Sequence, residues 1–188
     1  MVKKRACIFI SGSGTNLRSI IKNSRDYNFP IKINLVISNK ANAKGIIFAK
    51  KFSIPYIIFD LRKKNEFEKL ACQKLKDKKI ELVCLAGFMK ILSKNFVRSF
   101  KGKIINIHPS LLPKYKGLNT FDRAIKAGDK VSGCTVHFVD EKLDNGQIII
   151  KRKVLLNSYE TSERLKRKVQ AEEYMAYSMA IRRIYSSV

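Results

Sequence analysis

The sequence predicts a one-domain α/β protein built on a mostly parallel sheet with helices on both faces. Three observations predict it. Short β-branched runs alternate with longer amphipathic segments from the N-terminus to Ile107, as strand–helix–strand units do. After Asn119 two extended runs flank a polar loop, and these should pair antiparallel. At 188 residues the chain has the length of one domain, and a domain this long buries roughly 70% of the surface its unfolded chain exposes. The hydrophobic fraction of 45% and the charged fraction of 29% are those of a soluble globular protein.

Taken in order, the expected strands are Arg5–Ile10, Ile31–Ile37, Tyr56–Phe59, Leu82–Leu85 and Ile104–Ile107, each β-branched-rich and bounded by Gly, Pro, Asn or Ser. Between them, Thr15–Asn23, Ala41–Phe52, Asn65–Lys78 and Ser93–Phe100 read as helices. In the third of these, Phe67, Leu70, Ala71, Lys74 and Leu75 recur at i, i+3, i+4 spacing, with charges on the opposite face. Thr120–Ala127 is a short helix. It leads into the extended runs Val131–Val139 and Gln147–Leu156, joined by a loop ending in the turn signal Asp144-Asn145-Gly146. Thr161-Ser162 opens a closing helix to about Tyr185.

The net charge of +24 invites a nucleic-acid reading, because Lys and Arg neutralise phosphates and release counterions. The distribution argues otherwise. Lysines lie along every segment, with no basic stripe interleaved with aromatics, so the charge reads as a solvated surface that attracts anions over a Debye length. The cysteines, Cys7, Cys72, Cys84 and Cys134, form no CxxC pair, and three sit in apolar runs. That pattern predicts reduced thiols in a reducing compartment and no locally encoded zinc site. The apolar run after the basic start is only about five residues, short of the ~7–15 of a signal core. No run approaches a membrane span. The expected location is cytoplasmic.

Two stretches carry chemistry. The first follows the first strand: Ser11-Gly12-Ser13-Gly14-Thr15-Asn16, then a helix. A glycine-rich turn at a helix N-terminus presents backbone N–H groups and the positive dipole end, a cradle for phosphate. Leu17 stands where a dinucleotide fingerprint wants its third glycine, and no Gly-Lys-Ser/Thr is present. The loop therefore reads either as a site for one phosphate monoester, with Ser13, Thr15 and Asn16 as donors, or as a tight capped turn.

The second is Asn106-Ile107-His108-Pro109-Ser110-Leu111-Leu112-Pro113. Strand residues i and i+2 face the same way, so Asn106 and His108 project together at a strand's C-terminal end, where open α/β sheets bind ligands. Pro109 keeps His108 extended. An amide and an imidazole aimed at one point can hold the oxyanion of an acyl-transfer intermediate, and a carboxylate would keep the imidazole charged. Asp144 is the candidate, though an ordinary turn aspartate is the competing reading. His137, in an apolar alternation, reads as a packing residue.

The segments ISGSGTN, SNKANAKGI, LAGFMKIL, NIHPSLLPKYKGL, GCTVHFVDEKLDNGQII and VQAEEY together resemble the folate-dependent formyltransferases, and within them the glycinamide ribonucleotide (GAR) branch. NIHPSLLP with the later HFV and LDNG marks the superfamily, and SGSGTN narrows it to that branch. The resemblance implies a single Rossmann-like domain over residues 1–188 with a seven-stranded sheet. Residues 1–100 would form a phosphate-substrate half and 101–188 a folate-binding and catalytic half. It implies transfer of the formyl group of 10-formyltetrahydrofolate to the GAR amine in purine synthesis, with no metal, by a monomer or weak homodimer. By position, Asn106 would bind the formyl oxygen and His108 would be the protonated partner. Asp144 would raise the His108 pKa and pass the amine proton through water. Ser13, Gly14, Thr15 and Asn16 would hold the substrate phosphate and Glu173 the ribose, with Gly87 and Met89 lining the substrate junction. Lys64, Met89, Lys90, Ile91, Leu92, Asn106, Asp140, Leu143 and Asp144 would face the folate. The Leu112–Pro113 bond is expected to be cis.

Some positions depart from the family pattern. Lys90 and Lys64 stand where the family often has arginine, which loses the planar fork that grips carboxylates. Lys116 replaces a usual Pro and Asn119 a usual His. Methionyl-tRNA formyltransferase is the nearest rival, but it expects a second C-terminal domain and lacks the SGSGTN loop. A basic nucleic-acid-binding module would need no Asn/His/Asp constellation.

Overall fold

The protein is described by a computed structural model over residues 2–59 and 64–185. Its strands are β1 (Lys4–Ile10), β2 (Ile31–Ser38), β3 (Tyr56–Ile58), β4 (Leu82–Leu85), β5 (Lys103–His108), β6 (Val131–Phe138) and β7 (Ile148–Leu155). Its helices are α1 (Thr15–Ser24), α2 (Ile46–Lys51), α3 (Lys64–Asp77), α4 (Lys94–Ser99), α5 (Thr120–Lys126) and α6 (Ser162–Tyr185). Among the described residues the strands form one seven-stranded sheet in the order β3-β2-β1-β4-β5-β6-β7. β1 runs parallel to β2 and β4, β2 parallel to β3, and β6 antiparallel to β7, as expected.

One predicted element is substantially shorter than expected. The helix read over Ala41–Phe52 starts only at Ile46, and 41–45 form successive turns, with Ala43 N–H on the Lys40 carbonyl and Ile46 N–H on the Ala43 carbonyl. In a continuous helix the Gly45 N–H would bond the carbonyl four residues back. Here it donates to the Gly12 carbonyl at 2.9 Å instead. Residues 12–14 and Gly45 meet backbone to backbone, and a Cβ on Gly45 would lie 2.8 Å from the Gly14 Cα. A tertiary contact has overridden the local periodicity.

The described residues divide into two compact units, those of 2–105 with 185, and 106–184. In the first, Ala6–Ile10 of β1 are 0% exposed and Leu82–Leu85 of β4 are all buried. Such near-continuous apolar runs mark strands covered on both faces. α1 buries Leu17, Ile20 and Ile21 on one stripe. Phe9, Phe59, Phe67, Phe88 and Phe96 form an edge-to-face and stacked cluster, with Phe9–Phe88 centroids 5.3 Å apart, beneath the segment after β4. The strand order reverses between β1 and β4, and the crevice outside their carboxyl ends is the usual ligand position of such sheets.

In the second unit, α6 buries Leu165, Val169, Ala176, Tyr177, Ala180 and Ile181, one helical face. β7 ends the sheet, and Lys151 and Lys153 are exposed along it, charges that discourage edge-to-edge pairing. The β6–β7 loop closes tightly at Gly146, where a Cβ would lie 1.8 Å from the Phe138 carbonyl. No other residue fits there, which explains the glycine of the turn signal.

Candidate active site

At the carboxyl ends of β1 and β4, Ser11 is the organising residue, one the sequence reading passed over. Its N–H donates to the Gly87 carbonyl at 3.2 Å, and its hydroxyl donates to Asn39 Oδ1 at 2.5 Å. The same hydroxyl oxygen accepts the Met89 N–H at 2.8 Å. Ser11, Asn39, Gly87 and Met89 are thereby fixed relative to one another. Ser11 and Asn39 are buried, whereas Gly87 is exposed and the Met89 side chain is 69% exposed. Gly14 is the N-cap of α1 at φ 72, left-handed, with no side-chain cap. Ser13 is exposed, Thr15 half-buried and Asn16 buried. A helix N-terminus capped by glycine is a site where an anion can satisfy first-turn N–H groups.

The second unit holds the polar network. His108 Nδ1 lies 3.3 Å from Asp144 Oδ2, with both side chains 6% exposed. His108 Nε2 donates to the Tyr115 carbonyl at 2.9 Å. A carbonyl can only accept, so the Nε2 that bonds Tyr115 carries a proton, and the Nδ1 side of the ring faces the carboxylate. Asp144 Oδ2 also accepts the Gly117 N–H at 2.9 Å. Asp144 itself sits at φ 47, a left-handed conformation that aspartate tolerates better than most residues. This turns the carboxylate inward. The turn signal found the residue, and the tertiary fold made it a partner of His108.

His137 is buried, as its apolar surroundings predicted, but it does more than pack. Its Nε2 lies 3.8 Å from Asp144 Oδ1 and 3.4 Å from Asn106 Nδ2, and its Nδ1 bonds the Phe138 carbonyl at 2.8 Å. Burial pushes its pKa below the usual histidine value, against the opposing effect of the bond to the Phe138 carbonyl. The neutral ring then donates from Nδ1 and accepts at Nε2, which orients the Asn106 amide with its NH₂ toward His137. On β6 it lies two positions beyond Thr135, whose hydroxyl donates to the Ser110 carbonyl at 2.7 Å and accepts the Leu112 N–H at 3.1 Å.

The structure brings Asn106, His108, His137 and Asp144 into one connected network. The other predicted residues lie apart from it in the chain. The Lys64 side chain falls outside the described residues. The Lys90 ammonium sits 5.9 Å from the Phe67 ring centroid. Ile91 is 63% exposed while Leu92 is 8% exposed and belongs to the core. Asp140 Oδ1 accepts the Lys142 N–H at 2.9 Å, and Leu143 is half exposed. Glu173 on α6 helps raise the Cys134 thiol, chiefly pushed up by burial to about 12. Leu112–Pro113 is cis as expected. Asn119 sits at φ 56, a conformation asparagine accepts readily. Among the described residues no group of three or more His, Cys, Asp or Glu side chains could hold a metal ion, and no helix is long and apolar enough to cross a membrane.

The chain is of the open α/β class, with a glycine-capped helix after its first strand and a polar network in which half-buried Asn106 and buried His108 and His137, on β5 and β6, meet Asp144 of the β6–β7 loop. The match of residues 4–181 to the formyl transferase family shows that the chain belongs to that family. Among its relatives, the phosphoribosylglycinamide formyltransferase of Haemophilus influenzae is 44% identical over 183 residues, covering 95% of this chain and 86% of that protein. The trifunctional purine biosynthetic protein adenosine-3 of Homo sapiens is 40% identical over 98% of this chain, which spans 18% of that protein's length. The crystal structure of phosphoribosylglycinamide formyltransferase from Brucella melitensis superposes with a TM-score of 0.93 at 37% identity, covering 100% of this chain and 98% of that one.

Proposed function

We propose that this chain transfers the formyl group of 10-formyltetrahydrofolate to the amine of GAR, giving formyl-GAR in purine synthesis. The names of the relatives support the reaction, and the buried His108–Asp144 pair at 3.3 Å is the observation that carries it. The amine attacks the formyl carbon, and the carbonyl oxygen takes up negative charge. Asn106, its amide turned by His137, donates a hydrogen bond to that oxygen. His108, its Nε2 held by the Tyr115 carbonyl and its Nδ1 facing the Asp144 carboxylate, is assigned the role of protonated partner to that oxygen, in a preorganised site that needs no reorganisation. As the intermediate collapses, the carbon–nitrogen bond to the folate breaks. The departing nitrogen takes the proton that the attacking amine gives up, relayed through water by Asp144.

Gly14, Thr15 and Asn16 are assigned to the phosphate, with Ser13 at the loop's exposed edge, and Glu173 to the ribose hydroxyls. Gly87 and Met89, held by Ser11, are assigned to the reacting end of the substrates. Exposed Ile91 and Leu143 offer apolar surface to a pterin, and Asp140 is assigned to the same ligand. Buried Leu92 supports that segment from beneath, and Lys64 and Lys90 are assigned to the folate's acidic tail. Residues 1–100 would serve the phosphate-bearing substrate and 101–188 the folate and the chemistry. The compartment we infer is the cytoplasm. The test is a formyl-transfer assay of the purified chain with GAR and, separately, with charged initiator tRNA. Formyl-GAR is the expected product. Formylation of the tRNA alone would instead identify the sister reaction.

A further inference from the structure

We propose that Arg123 is a positioning residue for the His108–Asp144 pair, acting through the main chain of residues 114–119; only the kinetic arm of its test rests on the formyl-transfer reading. The 114–119 segment touches both members of the pair, and it does so with backbone groups. The Tyr115 carbonyl accepts the His108 Nε2 proton at 2.9 Å. The Gly117 N–H donates at 2.9 Å to Asp144 Oδ2, the oxygen that faces His108 Nδ1 at 3.3 Å. The path of this backbone therefore sets where the ring and the carboxylate sit.

That path is one a free chain avoids. Tyr115, Gly117 and Asn119 have φ of 54, 80 and 56. A left-handed tyrosine is unfavourable and persists only where its surroundings over-determine it. Two clamps do so. At the tyrosine end, Asp129 accepts from Lys114 Nζ and from the Tyr115 hydroxyl, each at 2.9 Å. At the glycine end, Arg123 Nη1 donates to the Lys116 carbonyl at 2.7 Å and to the Leu118 carbonyl at 3.3 Å. Its guanidinium carbon lies 5.1 Å from the Tyr115 ring centroid. Arg123 thus grips the residues on either side of the N–H that Asp144 uses. It also braces the residue whose carbonyl holds His108. A lysine offers a point charge without the planar fork that stacks and bonds together.

Arg123 is exposed on α5, so alanine, a strong helix former, leaves the helix intact. The comparison is R123A, R123K and, as a control for charge on the same helix, K126A. R123A is expected to lose about ten- to hundredfold in kcat, the usual scale for misplacing a catalytic group, with KM for GAR within about threefold of wild type. R123K should recover part of the loss and K126A should match wild type. A second readout needs no turnover: with ¹⁵N-labelled histidine, the His108 Nε2-bound proton should give a protected NMR signal in wild type and K126A that weakens or vanishes in R123A. The proposal is overturned if R123A keeps the wild-type signal, or if K126A loses as much activity as R123A. Should the wild-type chain transfer no formyl group, the proton signal alone decides, so the failure of the function and that of the positioning role are told apart.

Discussion

Replacing Asp144 with asparagine removes the charge of the network together with the carboxylate's proton relay. Asparagine tolerates the left-handed φ of 47, nearly matches the buried volume, and keeps an oxygen to accept the Gly117 N–H now bonded at 2.9 Å. What it removes is the negative charge 3.3 Å from His108 Nδ1. Two unit charges at that separation attract by about 5 kcal/mol at an effective dielectric constant of 20. Charge-assisted hydrogen bonds measured by substitution are worth ~1.5–3 kcal/mol. With a factor of ten per ~1.4 kcal/mol, kcat should fall between about 10-fold and 5,000-fold, centred near 10²-fold. KM for GAR should change little, because the phosphate anchor is assigned to Gly14–Asn16. The measurement is steady-state formation of formyl-GAR at saturating formyl donor, with thermal unfolding to show that the fold survives. A D144N protein with native stability and a kcat within about twofold of wild type would refute the electrostatic role.

Gly45→Ala should disturb the loop at the start of α1, since its Cβ would lie 2.8 Å from the Gly14 Cα and 2.9 Å from Ile10 Cδ1. The expected cost is about 1–3 kcal/mol of stability, as for other overpacking, with KM for GAR raised more than kcat is lowered; an unchanged urea midpoint would show that the loops do not press together. His137 has a folded pKa below its unfolded value, with burial as the leading cause. The unfolded chain therefore binds the proton more readily, and the stability from the neutral ring is present above about pH 6.5 and lost as pH falls through the folded value. The wild-type urea midpoint should accordingly fall between pH 7.5 and pH 5 more steeply than that of H137Q, by at most about 1.4 kcal/mol per pH unit of stability; parallel profiles would count against a neutral His137.

Most elements were legible because their causes are local. β1 and β4 declare themselves as continuous apolar runs, α1 as an i, i+3, i+4 stripe after a glycine turn, and the β6–β7 pair as extended runs around Asp144-Asn145-Gly146. Each boundary except that of α2 lies within one residue of its expected place. Asn106 and His108 were readable as a pair because a strand's period of two puts them on one side. The misses share another cause. Ser11 bonds Asn39 and Met89, separated from it by 28 and 78 positions. By local periodicity Gly45 reads as a helix interior, although its N–H belongs to Gly12. His137 passed for packing because its partners Asn106 and Asp144 lie on other elements.

The sequence by itself determined the alternation of strands and helices, the glycine turn before α1 and the shared side of Asn106 and His108. Those follow from residue type and spacing over a few positions, where sterics and burial act directly on neighbours. Only the tertiary structure decided that Asp144 turns inward to His108, that His137 orients Asn106, and that the 115–117 backbone holds both His108 and Asp144. These depend on groups far apart in the chain that meet only after the strands have paired. Hydrogen-bond geometry at 3 Å is set by that folded arrangement and leaves no periodic trace in the sequence.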